Sequence, residues 1–95
     1  ILTAGDVVVD VEARRVMKGG KPVVLTNKEF GLLLLFIQNK NVALFRENLY
    51  EKVWEGEYLA DSRTLDLHVQ RLRKKLGWEH NLVAVYKVGY RLEVQ

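Results

Sequence analysis

The sequence predicts an α+β domain in which a small antiparallel sheet is followed by three helices and a C-terminal β-hairpin. Short valine-rich runs between turn residues open the chain, apolar residues at helical spacing fill its middle, and alternating residues around a turn close it. At 95 residues, folding buries only about 60 to 65% of the unfolded surface, which is enough for one modest core. We therefore expect residues 1–95 to form a single domain.

The composition and the charge distribution narrow the range of functions. The chain has no cysteine, which excludes disulfides and thiolate metal sites, and no apolar run approaches the roughly 18 to 20 residues that cross a membrane. Residues 1–61 carry 8 Lys or Arg against 9 Asp or Glu, a net charge of −1, whereas residues 62–95 carry 7 against 3, a net charge of +4. We expect a soluble cytoplasmic protein whose last third binds phosphate groups rather than a membrane.

Three extended runs predict the opening sheet, namely Gly5 to Asp10, Arg14 to Lys18 and Pro22 to Leu25. Gly19 and Gly20 lie between the last two runs and predict a hairpin, because both central residues of a type I′ turn need positive φ. A phosphate-binding loop is the weaker interpretation, since these glycines lack the rest of a Gly-rich motif and a following helix.

Two helices are predicted next. Thr26 to Glu29 form a capping box, so a helix should begin there and continue to about residues 38–41 as the buried spine of the domain. A groove for a partner is the less favoured use of its leucines. After an extended link, Val42 to Phe45, a second helix is predicted from Arg46 to Trp54. The connection from Glu55 to Ala60 is longer than the turn of the simplest helix-turn-helix motif.

The segment from Asp61 to Gly77 predicts an amphipathic helix. Its apolar residues recur at helical spacing and form one narrow stripe: Leu65, Val69, Leu72 and Leu76. The opposite side carries Arg63, Leu67, Gln70, Arg71 and Lys74. Asp61 or Ser62 is the expected N-cap, and Gly77 is the expected left-handed residue at the C-terminus.

An exposed Leu67 lies one turn from Arg71 on the charged side of this helix. This pairing suits the major groove of DNA, where an apolar tip contacts a thymine methyl group and an Arg fork contacts a guanine edge. The alternative is a solvated basic face that only complements the helix dipole.

The final segment predicts a hairpin with strands from Leu82 to Tyr86 and from Tyr90 to Val94, joined by a turn at residues 87–89. Such a hairpin can lie beside a basic helix as a wing and place Lys87 and Arg91 against phosphates. The alternative is that these cations are solvated charges on a hairpin edge.

The chain resembles the OmpR/PhoB-type winged-helix effector domain of bacterial response regulators. The resemblance rests on Arg63 to Val69, Arg71 to Leu76 and Gly89 to Arg91, together with an earlier pattern that includes Leu25-Thr26, Glu29, Leu33-Leu34, Leu49 and Val53-Trp54. It implies a winged helix-turn-helix with a four-stranded N-terminal sheet, three helices and a C-terminal hairpin wing. Residues 62–76 would enter the major groove of double-stranded DNA, and residues 82–94 would form the wing.

The same resemblance implies roles for individual residues. It places Thr64, Asp66, Leu67 and Arg71 against bases, with Arg71 as the main contact, and Trp54, Arg63, His68 and Tyr90 against phosphates. To these we add Gln70 and Lys74 as base-facing residues, and Arg73, Lys75, Lys87 and Arg91 as phosphate-facing residues, because they lie on the charged side of the helix or on the hairpin. The loop that can touch RNA polymerase corresponds to Glu55, Glu57, Tyr58 and Leu59. Tyr86 and Lys87 depart from the family, which commonly has an Arg-Gly-x-Gly run at Tyr86 to Gly89.

The resemblance also implies partners. The family joins this domain to an N-terminal receiver that a sensor histidine kinase phosphorylates, and 95 residues leave no room for that receiver. We expect a fragment that is monomeric when isolated and dimeric on direct-repeat DNA sites or in the longer protein.

Other functions are less favoured. No cofactor, metal or catalytic activity is expected, because His68 and His80 have poor metal spacing and no nucleophile lies in a recognisable motif. The alternative function is a winged-helix protein-interaction module that contacts the transcription machinery without DNA readout, with Tyr58, Leu59 and Leu67 as its contacts. RNA binding lacks the exposed aromatic residues or Gly-rich loop of the usual modules.

Overall fold

The computed structural model describes residues 1–56, 58 and 63–94. The α+β fold class and the order of sheet, three helices and hairpin are confirmed. The elements are β1 (Leu2–Ala4), β2 (Val7–Asp10), β3 (Arg15–Lys18), β4 (Lys21–Val23), α1 (Asn27–Gln38), β5 (Leu44–Phe45), α2 (Arg46–Trp54), α3 (Thr64–Leu76), β6 (Leu82–Val85) and β7 (Gly89–Leu92).

The N-terminal sheet is antiparallel with the strand order β1-β2-β3-β4. Gly19 and Gly20 have φ values of 56° and 80°, which confirms the predicted hairpin turn. The residue pattern missed β1, which the family resemblance implied. It also placed the end of β4 at Leu25, two residues too late. The register of β3 and β4 would place Leu25 opposite Arg14. Arg14 lies just before β3 and has a left-handed φ of 53°, so the pairing of the two strands does not reach Leu25.

The predicted capping box is present at the start of α1. The Thr26 hydroxyl accepts from the Glu29 N–H at 3.2 Å, and the Glu29 carboxylate accepts from the Thr26 N–H at 2.9 Å. α1 is the buried spine that was predicted, and its buried apolar residues are Phe30, Leu32, Leu33, Phe36 and Ile37. α2 spans the predicted residues and ends at Glu55 in the left-handed conformation.

The C-terminal hairpin is part of a three-stranded sheet with the order β5-β7-β6. The extended link before α2 supplies β5, which pairs Leu44 with Tyr90 and Phe45 with Gly89. Gly89 was predicted to lie in the turn, but it is the first residue of β7. A Cβ at Gly89 would lie 2.1 Å from the Leu44 carbonyl oxygen, so the close approach of β5 requires glycine there.

α3 packs its apolar stripe into the core as predicted, and all four stripe residues are fully buried. The helix begins at Thr64 rather than at residue 62, and its N-cap residue, Arg63, makes no side-chain capping bond. Asp61 and Ser62, the predicted caps, lie outside the described residues. Gly77 ends the helix in the left-handed conformation, as predicted. None of the helices in the described ranges has the length and apolar character needed to cross a membrane.

Candidate nucleic-acid interface

The exposed face of α3 is cationic and lies opposite the buried stripe. Arg63, Gln70, Arg71 and Lys74 are exposed, and Leu67 keeps 50% of its surface accessible. The side chains of Arg71 and Lys74 form no ion pair or hydrogen bond with any other residue in the described ranges. Burial of the stripe therefore fixes the rotation of α3 and leaves a short apolar side chain and two cations free for an external partner.

Asp66, which the resemblance implied to face bases, points into the protein. Its Oδ2 accepts from Nη2 of Arg46, the first residue of α2, and its Oδ1 accepts from the Tyr90 hydroxyl on β7. The guanidinium carbon of Arg46 also lies 5.6 Å from the centroid of the Tyr90 ring. We call these three residues the Arg46–Asp66–Tyr90 network. It joins α2, α3 and β7 through side chains.

The charges in this network are stable near neutral pH. Burial alone would raise the pKa of Asp66, but the bonds from Arg46 and Tyr90 and the positive charges of Arg46 and Arg63 hold that pKa below its ordinary value. The bond to Asp66 raises the pKa of the Arg46 guanidinium. Burial, then the bond to Asp66, raises the pKa of the Tyr90 hydroxyl. The network thus holds an ionised carboxylate between a cation and a protonated phenol.

Aromatic side chains form one flank of α3. Trp54 stacks on Tyr50 with ring centroids 5.0 Å apart, and its ring is nearly perpendicular to that of His68, with centroids also 5.0 Å apart. Nδ1 of His68 lies 2.8 Å from the Thr64 carbonyl oxygen, which fixes the ring along the helix. Trp54 and His68, two predicted phosphate-facing residues, therefore form one half-buried surface beside the N-terminal part of α3.

Lys28 is a cation beside this aromatic flank that the sequence reasoning missed. Its Nζ donates to the Val53 carbonyl at 3.0 Å and lies 5.8 Å from the Trp54 ring centroid. Arg46 was missed as well. Each is a single basic residue near the start of a helix, and the sequence around it does not indicate which side chains it contacts in the folded domain.

Two predicted phosphate-facing residues of α3 are bound within the protein. Nζ of Lys75 donates to the Glu29 carboxylate at 2.6 Å, and Glu29 is 1% exposed. Burial alone would raise the pKa of Glu29, but the bonds from Lys75 and Thr26 hold it below its ordinary value. Arg73 donates to the Glu79 carbonyl at 3.0 Å and to the Gln70 side-chain oxygen at 3.4 Å. Lys75 thus links α3 to the start of α1.

The wing places only part of its predicted set on the surface. Tyr86 is 86% exposed, and the centroid of its ring lies 5.5 Å from Nζ of Lys87. Lys87 itself takes a left-handed φ of 60°. Arg91 forms an ion pair with Glu93, with Nε to Oε2 at 2.9 Å. Tyr90 is 4% exposed, and its hydroxyl is used by Asp66.

Two residues of the predicted polymerase loop, Glu55 and Tyr58, lie within the described residues. Glu55 is exposed at the end of α2. The Tyr58 hydroxyl accepts from Nε of Arg46 at 3.3 Å, and its ring meets Tyr50 edge-on at 5.6 Å. Glu57 and Leu59, the other predicted loop contacts, lie outside the described residues.

Comparison with known proteins places this geometry in a family. The family model described as "Transcriptional regulatory protein, C terminal" matches residues 20–92. Sensory transduction protein RegX3 of Mycolicibacterium smegmatis is 41% identical over 97 residues, which cover 98% of this chain and 42% of that protein. Transcriptional regulatory protein CseB of Streptomyces coelicolor is 41% identical over 93 residues, which cover 98% of this chain and 39% of that protein. The chain spans about two fifths of the length of these relatives.

Solved structures share the fold. The DNA-binding domain of Klebsiella pneumoniae RstA, in complex with the RstA box, has a TM-score of 0.90 at 26% identity, and the match covers 97% of this chain and 95% of that chain. The DNA-binding domain of Bacillus subtilis CssR has a TM-score of 0.79 at 40% identity, covering 90% of this chain and 98% of that chain. The chain therefore belongs to the family of C-terminal domains of transcriptional regulatory proteins, as a winged-helix DNA-binding domain of the OmpR/PhoB type found in bacterial two-component response regulators.

Proposed function

We propose that this domain binds double-stranded DNA with sequence preference, with α3 in the major groove and residues 82–94 beside it as the wing. The observation that carries the proposal is the face of α3 on which Leu67 is half exposed and Arg71 and Lys74 have no partner within the described ranges. A helix fits the major groove, where such side chains meet base edges and phosphates. The RstA domain, solved in complex with its own box, supports this placement by likeness.

The proposed base contacts are those α3 residues whose side chains remain available at its exposed face. Arg71 is placed to donate to a guanine, and Leu67 to contact a thymine methyl group. Lys74 belongs to the same set, and Thr64, which is half buried at the start of α3, is added to the base contacts on the family resemblance alone. Asp66 is withdrawn from it, since both of its carboxylate oxygens accept bonds from inside the protein.

Gln70 has a defined orientation in this proposal. Its side-chain oxygen accepts from Arg73, which the Glu79 carbonyl holds in place. The amide nitrogen of Gln70 is not used by this bond, and it can donate to a guanine or thymine acceptor. The oxygen keeps a second lone pair, so bidentate pairing with adenine stays open as well.

Phosphate contacts are proposed for Arg63, for Lys87 on the wing, and for the Trp54 and His68 surface. Arg73, Lys75 and Arg91 contribute less to phosphate binding, because each is bound to an oxygen of the protein. Together with the weaker contacts of Arg73 and Arg91, the first four residues make about five or six phosphate contacts, which give an expected slope of about −4 to −6 for log affinity against log salt concentration.

The wider assignments rest on the family. We propose that the 95 residues are the effector domain of a longer response regulator in the bacterial cytoplasm. In that protein, a receiver domain would be phosphorylated by a sensor histidine kinase, and the effector domains would bind direct-repeat DNA sites. The connection that contains Tyr58 is the proposed contact with RNA polymerase. No catalytic role is proposed. The relatives, which are more than twice as long as the matched segment, support a further domain in the parent protein.

Salt titration of binding to duplex DNA, combined with two Arg variants, tests the proposal. Arg71→Ala should cost about 1 to 3 kcal/mol on a preferred site selected from random duplexes and should weaken the preference at one base pair. Arg63→Ala should weaken binding to all sequences alike and reduce the salt slope by about 1. Equal behaviour of the two variants would contradict the division of roles. A wild-type domain without affinity for any duplex would instead support a protein-interaction module.

A further inference from the structure

The Arg46–Asp66–Tyr90 network connects the two parts of the proposed DNA interface. Asp66 is the third residue of α3, and Tyr90 lies in β7, the central strand of the sheet that carries the wing. The Tyr90 hydroxyl donates to one oxygen of Asp66, and Arg46 donates to the other. In α3, Asp66 immediately precedes Leu67, which is a proposed base contact.

Arg46 connects to the wing through its backbone as well. Its N–H donates to the carbonyl of Val88, in the wing turn, at 3.0 Å. Its guanidinium meanwhile binds Asp66 and lies against the ring of Tyr90. One residue therefore holds the turn of the wing from one side and the first turn of α3 from the other.

We propose that Asp66 is a positioning residue, which with Arg46 and Tyr90 fixes the wing relative to α3 so that both reach the DNA together. This proposal rests on the proposed DNA-binding function. A carboxylate facing DNA would repel the phosphates, but both oxygens of Asp66 are directed to donors of the protein. Ordering the wing before binding removes an entropy cost that a loosely held hairpin would pay on the DNA.

The consequence is a specific coupling between Tyr90 and the wing contact Lys87. In the wild-type domain, Lys87→Ala should weaken duplex binding about threefold to tenfold, the effect of one phosphate contact. If the Tyr90 hydroxyl positions the wing, Tyr90→Phe already loses much of that contact. Lys87→Ala in the Tyr90→Phe background should then change the affinity less than about twofold, and Asp66→Asn should behave in the same way.

A matched control separates positioning from the loss of any hydroxyl. Tyr86→Phe makes the same chemical change on an exposed tyrosine beside Lys87, so the effect of Lys87→Ala should stay at its wild-type size in that background. The base preference at the site of Arg71 should be unchanged in Tyr90→Phe and Asp66→Asn. Additive effects of Tyr90→Phe and Lys87→Ala, or a changed preference at one base pair in Asp66→Asn, would overturn the proposal.

A measurement without DNA tests the network independently of the proposed function. The chain has no cysteine, so Lys74→Cys and Tyr86→Cys allow one spin label on α3 and one on the wing. The distribution of distances between the labels should broaden in Tyr90→Phe, with the far-ultraviolet circular dichroism unchanged. An unchanged distribution would overturn the positioning role. A domain that fails to bind any duplex but shows the broadening would count against the proposed function alone.

Discussion

Replacing Lys75 by Met tests whether this lysine serves the fold or the DNA. The sequence predicts a phosphate contact, but Nζ of Lys75 lies 2.6 Å from the Glu29 carboxylate, which is buried at the start of α1. Met keeps most of the length and apolar stem of the lysine and removes its charge and its donors. The variant therefore removes the cation beside Glu29 and leaves the carboxylate with its bonds to Thr26.

The structure sets the size of the expected loss. A hydrogen bond to a charged group contributes about 1.5 to 3 kcal/mol, and breaking a fully buried ion pair costs about 3 to 5 kcal/mol. The larger range is discounted, because 38% of the Lys75 side chain is exposed and water can reach it. We expect the free energy of unfolding to fall by about 1 to 3 kcal/mol, with a decrease in Tm of about 4 to 8 °C for each kcal/mol.

The loss should depend on pH in a defined direction. In the wild-type domain the pKa of Glu29 is below its ordinary value of 4.5, so its contribution to stability is present above pH 4.5 and is lost as the pH falls through the folded-state pKa. In Lys75→Met, burial raises the pKa of Glu29, and protonation relieves the buried charge. The difference in stability between the two proteins should therefore be largest near neutral pH and shrink below about pH 4.5.

Lys74→Met is the matched control for this experiment. Lys74 is the neighbouring residue, and it forms no ion pair within the described ranges. Urea unfolding should show Lys74→Met close to wild type and Lys75→Met destabilised. Duplex binding should show the reverse, with the affinity for the preferred site reduced in Lys74→Met and both the affinity and the salt slope unchanged in Lys75→Met. A reduced slope in Lys75→Met with unchanged stability would refute the reasoning.

Three further predictions follow from single contacts. Gly89→Ala would place a Cβ 2.1 Å from the Leu44 carbonyl oxygen, so urea unfolding should show a loss of about 3 kcal/mol, the upper end for overpacking; a wild-type midpoint would contradict the required close approach. Gln70→Glu replaces the amide donor by a carboxylate, so selection from random duplexes should show an altered preference at one base pair, worth about 1 to 3 kcal/mol, and an unaltered site would contradict the proposed base contact of Gln70. Thr26→Ala should cost about 1 kcal/mol in thermal unfolding through loss of the cap, without a change in the salt slope of DNA binding, and a changed slope would be unexpected.

Structure that depends on near neighbours was predictable from the sequence. The capping box at Thr26 and Glu29 spans three positions, and the buried stripe of α3 repeats every three or four residues. Gly19 and Gly20 carry the positive φ of their turn within themselves. In each case the physical cause acts within about one helical turn or one hairpin, so the pattern of residues is sufficient.

Structure that depends on distant partners was not predictable in the same way. The residue pattern predicted an extended link at Val42 to Phe45 but not its pairing, because Leu44 and Phe45 become a strand only when β7 pairs with them. The role of Gly89 was misplaced for the same reason, since the backbone that demands a glycine belongs to Leu44. Glycine is favoured both in turns and where two backbones approach closely, so the sequence alone does not show which of these reasons applies at Gly89.

The candidate site divides along the same line. By itself the sequence determined which face of α3 is cationic and that Leu67 and Arg71 lie on it, because helical periodicity assigns the face. Only the tertiary structure decided which of its charged residues are free. Asp66 meets Arg46 and Tyr90 across 20 and 24 positions, and Lys75 meets Glu29 across 46. Partners so far apart are brought together by packing of the core, which no local pattern encodes.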